Sequence, residues 1–448
     1  MSYLYSINKE VPGSLSQRIT FFDYLFVFVL IIYAGRANTF VSESFKENPI
    51  GILLPIVLSC ILAIRWEIIF SKQFYILIFC YFIYFIAISI KYSGIHPTIF
   101  LNYFFLFFIV YVVVKGLKFN LFRIYEYLLY CLAIIGLLMW GIQIILGGDT
   151  LYNYFGNISS IDSFSYVSLN GLNAIFYSIQ PTSASLLFEY MPPRNCGFAW
   201  EPGGFAVYLC LAIFINLFIT NSDSKGKIRF WVLSIALIST QSTTGYAIFT
   251  IIILFYYLNK KLNIILLLIP VMITALIFIF SLPFMSNKIV SLVNETDEIN
   301  FMVEKAIGSE SGIAPQRFSS FLIAFRDFYN NPILGTGGIS GENWTNKIGA
   351  NISTISGIGN LLAQSGLIGF LFLIIISFKT SLFFSKYYNY NGKFLFFLIV
   401  LFISISYSII LLPLIMSFWM FQLFTPQNID QKEIKNVDLN TESNLVSP

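Results

Sequence analysis

Twelve apolar runs divide this chain, and they limit it to one kind of environment. A helix that crosses a bilayer needs about 17–25 mostly apolar residues. Runs of that character lie near 20–36, 49–64, 73–90, 97–114, 124–147, 203–220, 229–241, 243–259, 262–281, 357–378, 393–408 and 409–425. Hydrophobic residues make up 57% of the chain and charged residues 11%, against about 25% charged in soluble proteins. A soluble chain of 448 residues could not cover its surface with so few charges. The sequence therefore predicts an all-α, polytopic integral membrane protein with about 12 transmembrane helices. The seventh and eighth runs are short and share the polar break Ser239–Gly245, and Pro413 interrupts the last, so ten or eleven spans are alternatives.

Orientation follows from Lys and Arg, which are enriched in cytoplasmic loops. The segments that would be inside carry Arg65, Lys72, Lys115, Lys118, Arg123, Lys225, Lys227 and Arg229, with both chain ends on that side. The first apolar run follows about twenty mixed residues and is read as a span rather than a cleaved signal. The chain then divides into N-terminal helices (1–147), a large outer loop (148–202), central helices (203–281), a second large outer loop (282–356), C-terminal helices (357–425) and a cytoplasmic tail (426–448) read as disordered. Structureless loops this long are uncommon unless they carry function.

Charge inside the spans is essentially confined to Asp23. Buried charge usually marks an ion or proton path, so its scarcity weighs against an ion-coupled transporter. The net charge of +4 contains no basic run suited to nucleic acid, and a single histidine, His96, leaves no His-rich metal site. Five cysteines show no metal spacing, and no disulfide framework is expected.

Three segments hold the candidate chemistry. In Arg194–Tyr208, Pro202 suits the first turn of a helix, where a missing N–H costs nothing. Glu201 then lies at that helix's N-terminus, with Arg194 close enough to share a pocket. The acid can serve as a base or hold a sugar hydroxyl, and a helix cap beside a positioning Arg explains the same residues. In the second segment Phe318, Phe321, Leu322, Phe325 and Phe328 recur at helical spacing, which predicts an amphipathic helix along the membrane surface. Arg317 and Arg326 fall on opposite sides of it. Asn331-Pro332 ends it, and the turn containing Gly335 and Gly337 is a candidate anion nest. In the third segment Asn360 and Gln364 share a helical face. They can hold a sugar, while the glycines and serines around them equally suit close helix packing.

Taken in order, these segments resemble the O-antigen polymerase and ligase family of bacterial envelopes, with the polymerase branch the nearer. The similar features are Arg-x-x-Gly-Phe-x-x-Glu-Pro-Gly at Arg194–Gly203, the Thr240–Tyr246 break, Arg317 leading to Asn331–Gly337, and the Gly366-Leu-Ile-Gly369 helix. The ligase branch carries a histidine ahead of its Gly-x-x-Gly pair. Here the corresponding residues are Ile355 and Ser356, which favours the polymerase.

The resemblance implies a GT-C-like glycosyltransferase in the bacterial inner membrane, acting on undecaprenyl-diphosphate-linked oligosaccharide at the periplasmic face. It implies catalytic roles for Glu201, Arg194 and Arg317, and substrate contacts from Arg326, Asn360, Gln364, Gly335, Gly337 and Tyr208. It leaves room for a chain-length regulator as partner. No metal and no cofactor are expected. Aromatic residues of the first loop, Tyr152, Tyr154, Phe155, Tyr166, Tyr177 and Trp200, offer stacking faces for sugar. A ligase of the same family and a lipid-linked oligosaccharide flippase are the alternatives.

Overall fold

The computed structural model describes residues 19–35, 49–148, 150–151, 172–174, 176–179, 193–220, 224–259, 303–307, 315 and 317–425. The ninth apolar run (262–281), most of the first long loop with its Tyr152, Tyr154, Phe155 and Tyr166, and the tail lie outside those residues.

Helices α1 (Phe21–Gly35), α2 (Pro49–Arg65), α3 (Lys72–Lys91), α4 (Pro97–Leu117) and α5 (Asn120–Leu146) follow the first five apolar runs. A two-stranded antiparallel ribbon, β1 (Leu172–Ala174) with β2 (Tyr177–Ile179), lies in the first long loop. Then come α6 (Pro202–Phe214), α7 (Ser224–Ser239) and α8 (Thr243–Asn259). In the second long loop are α9 (Arg317–Asn330) and the short α10 (Trp344–Lys347). The chain ends in α11 (Gly357–Tyr387), α12 (Leu395–Ser406), α13 (Pro413–Trp419) and α14 (Phe421–Phe424). Proline opens α4, α6 and α13, the position where it costs no backbone bond.

Among the described residues, five helices are long and apolar enough to cross a membrane by length and composition, and four shorter apolar helices accompany them. The molecule has the character of a helical membrane protein, with Ile64, Ile69, Tyr75, Phe79 and Ile90 among many large apolar side chains facing outward. The Ser239–Gly245 break separates two helices rather than re-entering as one. Asn195 binds the far end of α7, and Asn259 at the end of α8 binds Asn391. The final run is broken, as Pro413 suggests, into α13 and α14.

Helix α6 is the centre of the bundle. Every residue from Pro202 to Asn216 is buried. Small side chains allow this: a methyl group at Gly245 of α8 would come 2.6 Å from the Ala206 side chain. Its last turn loosens into a π-helix, Ile215–Ile219, a form that often accompanies a polar demand. That demand is Glu126 of α5, which corrects the expectation of a bundle interior free of charge except for Asp23. Glu126 is 2% exposed. Its carboxylate pairs with Arg229 at 2.8 Å and accepts hydrogen bonds from Asn216 Nδ2 (2.7 Å) and Thr220 Oγ1 (2.8 Å). These three partners make the burial of this acid tolerable.

Two ends of the bundle are distinguished by what meets there: Thr20, Arg65, Trp66 and Asn120 line one cavity, while the Arg194–Glu201 segment binds the ends of α1 and α7 through Gly35 O and Ser239 O. One carries Arg65, Lys72, Lys118 and Arg123. The other carries the start of α6, the α7–α8 turn and the segment after α12.

Candidate active site

The Arg194–Glu201 segment is fixed on three sides before it delivers Glu201 to α6. Asn195 donates from its backbone N–H to Ser239 O (3.0 Å) and from Nδ2 to Ser239 Oγ (2.9 Å). The Trp200 N–H donates to Gly35 O at the end of α1 (2.9 Å), and Ser178 N–H of β2 donates to Gly197 O (2.7 Å). Gly197 has φ +49°, and a side chain there would strike the Phe205 ring at 2.6 Å. The turn thus requires glycine for both its backbone and its contact.

Glu201 occupies the N-cap of α6 with extended backbone, yet its side chain makes no cap hydrogen bond. The capping explanation therefore does not account for the acid. Its carboxylate faces Arg317 instead, with Nη2 at 3.4 Å. Arg317 Nη2 also donates to the Tyr407 hydroxyl, and the guanidinium carbon lies 4.2 Å from the Tyr407 ring centroid. Both hydrogen-bond contacts pass through one terminal nitrogen, and a guanidinium carries five N–H donors. The Glu201 and Arg317 side chains retain 25% and 34% exposure. The pair is open to an incoming group.

Burial alone would lower the Arg317 pKa, but Tyr407 and Glu201 beside it shift the balance upward, so it is held firmly as a cation. The negative charge of Glu201 also sits at the positive end of the central helix. Trp200 meets the edge of Tyr407 with ring centroids 6.0 Å apart. Gly203 is what lets Tyr407 enter: a Cβ there would lie 1.4 Å from its hydroxyl oxygen and 3.2 Å from Arg317 Nη2.

Arg194 approaches from the other side. Nε and Nη2 donate to Thr240 O and Gln241 O, each at 3.2 Å, where α7 gives way to α8. It does not pair with Glu201. Its charge nevertheless acts on Tyr407 together with those of Glu201 and Arg317. The two arginines therefore share one end of the bundle, near enough that both act on Tyr407.

The other sequence candidates divide. Arg317 and Arg326 do point opposite ways: Arg326 lies over the Trp344 ring at 4.2 Å, outside the cluster. Phe318 and Phe325 of the apolar stripe lie on the outer side of α9. Its buried face is Ser319, Ser320, Ile323, Ala324 and Asp327. Small residues win the inner face because α9 packs tightly on α11, where a Cβ at Gly359 would come 3.2 Å from Ala324. Asp327 accepts from the Trp344 N–H (2.8 Å) and so caps α10.

The Gly335–Gly337 turn is not an open anion nest, because its donors are taken. The Gly335 N–H reaches Asn331 O (2.9 Å), that of Thr336 reaches Ala363 O (2.8 Å), and that of Gly337 reaches Gln364 O (2.8 Å). This is also where α11 breaks: Gly366 has φ 59° and ψ −157°. The freed carbonyls are the ones the turn satisfies. Lys91 and Tyr92 clasp the same turn through Gly335 O, at 3.0 and 3.1 Å.

Asn360 does not present a free amide to sugar. It accepts from Thr354 Oγ1 and donates to Thr354 O (2.8 Å) and Ser408 Oγ (3.3 Å), binding the start of α11 to the chain after α12. Gln364 Oε1 accepts from the Tyr103 hydroxyl at 3.4 Å. Tyr208 is buried in the core and donates to Ala34 O, so it has no access to a substrate. Tyr177 is likewise buried and bonded to Gln143.

Sequence reasoning missed Tyr407. It stands in a run counted as the edge of a span, and its only signal is the alternation Ser404, Ser406, Ser408 that breaks the apolar pattern around it. Glu126 was missed because it lies at the inner edge of a long apolar run.

No known family model, curated protein or solved structure matches this chain.

Proposed function

We propose that this protein is a glycosyltransferase that polymerises undecaprenyl-diphosphate-linked oligosaccharide repeats into O-antigen or a related surface polysaccharide. One observation carries the reading. A partly exposed acid and a fixed arginine face each other at the N-terminus of the central helix, with a second arginine beside them, at the bundle end away from the Arg65–Arg123 cluster. Under the positive-inside rule that end faces the periplasm, and both termini are cytoplasmic. The reading includes about twelve spans in a GT-C-like arrangement.

In the reaction, a hydroxyl of one lipid-linked repeat attacks the anomeric carbon of the glycan on another carrier. The new glycosidic C–O bond forms, and the bond between that carbon and the diphosphate oxygen breaks. Glu201 takes the hydroxyl proton. Arg317, with Arg194 supporting, neutralises the charge that grows on the leaving diphosphate, a task suited to the planar guanidinium fork. Tyr407 holds Arg317 in place through its hydroxyl and ring. The outward Phe318 and Phe325 of α9 put an apolar surface beside Arg317, where a lipid carrier approaches from the bilayer.

A gene-deletion strain carrying each variant tests this. Loss of polymerisation leaves single-repeat glycans on the cell surface, and Arg317→Ala should reproduce that state with normal protein level in the membrane. Complete absence of surface glycan indicates a flippase instead. Polymer stranded on its lipid carrier indicates a ligase.

A further inference from the structure

At the opposite end of the bundle lies a second polar cavity that the proposed reaction does not use. It has a volume of about 190 Å³ and is lined by Thr20, Asp23, Arg65, Trp66, Leu117 and Asn120. Asp23 is 6% exposed. Its Oδ2 accepts from the Thr20 N–H (2.7 Å) and the Thr20 hydroxyl (3.1 Å), while Oδ1 is enclosed with no hydrogen-bond partner among the described residues. An unmatched carboxylate oxygen out of water is costly and calls for a donor.

The rest of the cavity has the opposite charge. Arg65 closes α2 at its wall, with its guanidinium 5.3 Å from the Phe22 ring centroid. Lys72, Lys115, Lys118 and Arg123 lie on the helix ends around it. Trp66 lies flat on the α4 backbone, where a Cβ at Gly116 would come 1.8 Å from the indole. That gives the cavity a fixed aromatic wall, of a residue type enriched where membranes meet water.

We propose that this cavity binds the headgroup of an aminophospholipid, with its primary ammonium at the Asp23 carboxylate and its phosphate at Arg65. The buried acid demands a cation that can donate an N–H. The surrounding cations demand an anion. A phosphate joined by a short linker to an ammonium supplies both in one molecule, and the position at a helix-bundle end puts the site level with a leaflet's headgroups. The phosphate alone would be drawn to the basic residues, but only the ammonium matches the acid. This site is independent of the glycosyl-transfer reading, and either can fail without the other.

The test is native mass spectrometry of the full chain in detergent, with phosphatidylethanolamine, phosphatidylcholine and phosphatidylglycerol of identical acyl chains. Phosphatidylethanolamine should be retained at least tenfold more tightly than either of the others, because phosphatidylcholine has no N–H donor and phosphatidylglycerol has no amine. Asp23→Asn, which keeps the shape and removes the charge, should erase the preference, and Arg65→Gln should weaken retention independently if the first variant folds poorly. Soluble phosphoethanolamine that displaces the lipid would support the same chemistry and show that the headgroup alone suffices. Equal retention of all three lipids, an unchanged preference in Asp23→Asn, or no lipid held by the folded wild type would overturn the proposal.

Discussion

Gly203→Ala tests the cluster without touching a charge. In the first turn of an exposed helix this change would favour helix by up to about 1 kcal/mol. Here the new methyl would lie 1.4 Å from the Tyr407 hydroxyl oxygen and 2.6 Å from its ring carbon Cζ, so the phenol must retreat about 2 Å to reach ordinary contact near 3.4 Å. Overpacking of this kind costs about 1–3 kcal/mol, which outweighs the propensity gain. The retreat also breaks the bond from Arg317 Nη2 to Tyr407. A hydrogen bond to a charged group contributes about 1.5–3 kcal/mol, so turnover should fall roughly 10- to 100-fold if Tyr407 positions Arg317 for the reaction. Tyr407→Phe removes the atom in the worst clash, so the double variant should lose less than the two single effects combined. Thermal unfolding in detergent and chain-length ladders from membranes measure the two quantities. A Gly203→Ala protein with wild-type stability and ladders, or strictly additive effects in the double variant, would refute the reasoning.

Other outcomes follow from the same geometry. Arg317→Lys keeps the charge but loses the planar fork, and should retain less than about a tenth of polymer synthesis at unchanged protein level, measured by ladder density. Glu126→Ala leaves Arg229 and the Asn216 and Thr220 donors without their acceptor and should destabilise the bundle by about 3–5 kcal/mol, read by unfolding in detergent. Asp327 has its pKa raised, chiefly by burial and against the pull of the Trp344 N–H, Lys347 and Arg326. In the pH window between its unfolded and folded pKa values the native state binds the extra proton, so stability should rise as pH falls through that window. Asp327→Asn, whose amide oxygen can still accept from Trp344, should flatten that dependence, whereas Asp327→Ala should cost about 1 kcal/mol as a lost helix cap.

Much of the fold could be read from the sequence because one rule dominates it: a backbone surrounded by lipid must satisfy itself as helix. The apolar runs and the helices α1–α8 and α12 largely coincide for that reason, and α11 starts where its run does but continues to Tyr387. The placement of Glu201 followed from Pro202 alone, since proline at a first turn leaves its predecessor at the cap. The opposed directions of Arg317 and Arg326 followed from helical geometry.

What failed were inferences that required knowing the partner surface. The inner face of α9 could not be read from its own pattern: Ser319, Ser320 and Ala324 turn inward because the neighbour, α11 at Gly359, admits only small side chains. The Gly335–Gly337 turn looks like an anion cradle until α11 is seen to break at Gly366 and present carbonyls to it. Asn360 and Tyr208 have the chemistry to meet a substrate, but Thr354, Ser408 and Ala34 occupy them. Tyr407 carries no local signature because its role depends on a glycine some two hundred residues earlier in the chain.

The central claim is that the Glu201–Arg317–Tyr407 cluster transfers glycans between lipid diphosphate carriers. The most direct measurement is polymerisation of a synthetic undecaprenyl-diphosphate-linked repeat by the purified, full-length protein, alongside Arg317→Ala and Glu201→Gln. The account predicts a ladder of products with release of undecaprenyl diphosphate from the wild type, and none above background from either variant. A wild-type protein that folds and binds the native repeat but releases no diphosphate, or variants that make the same ladder, would contradict it.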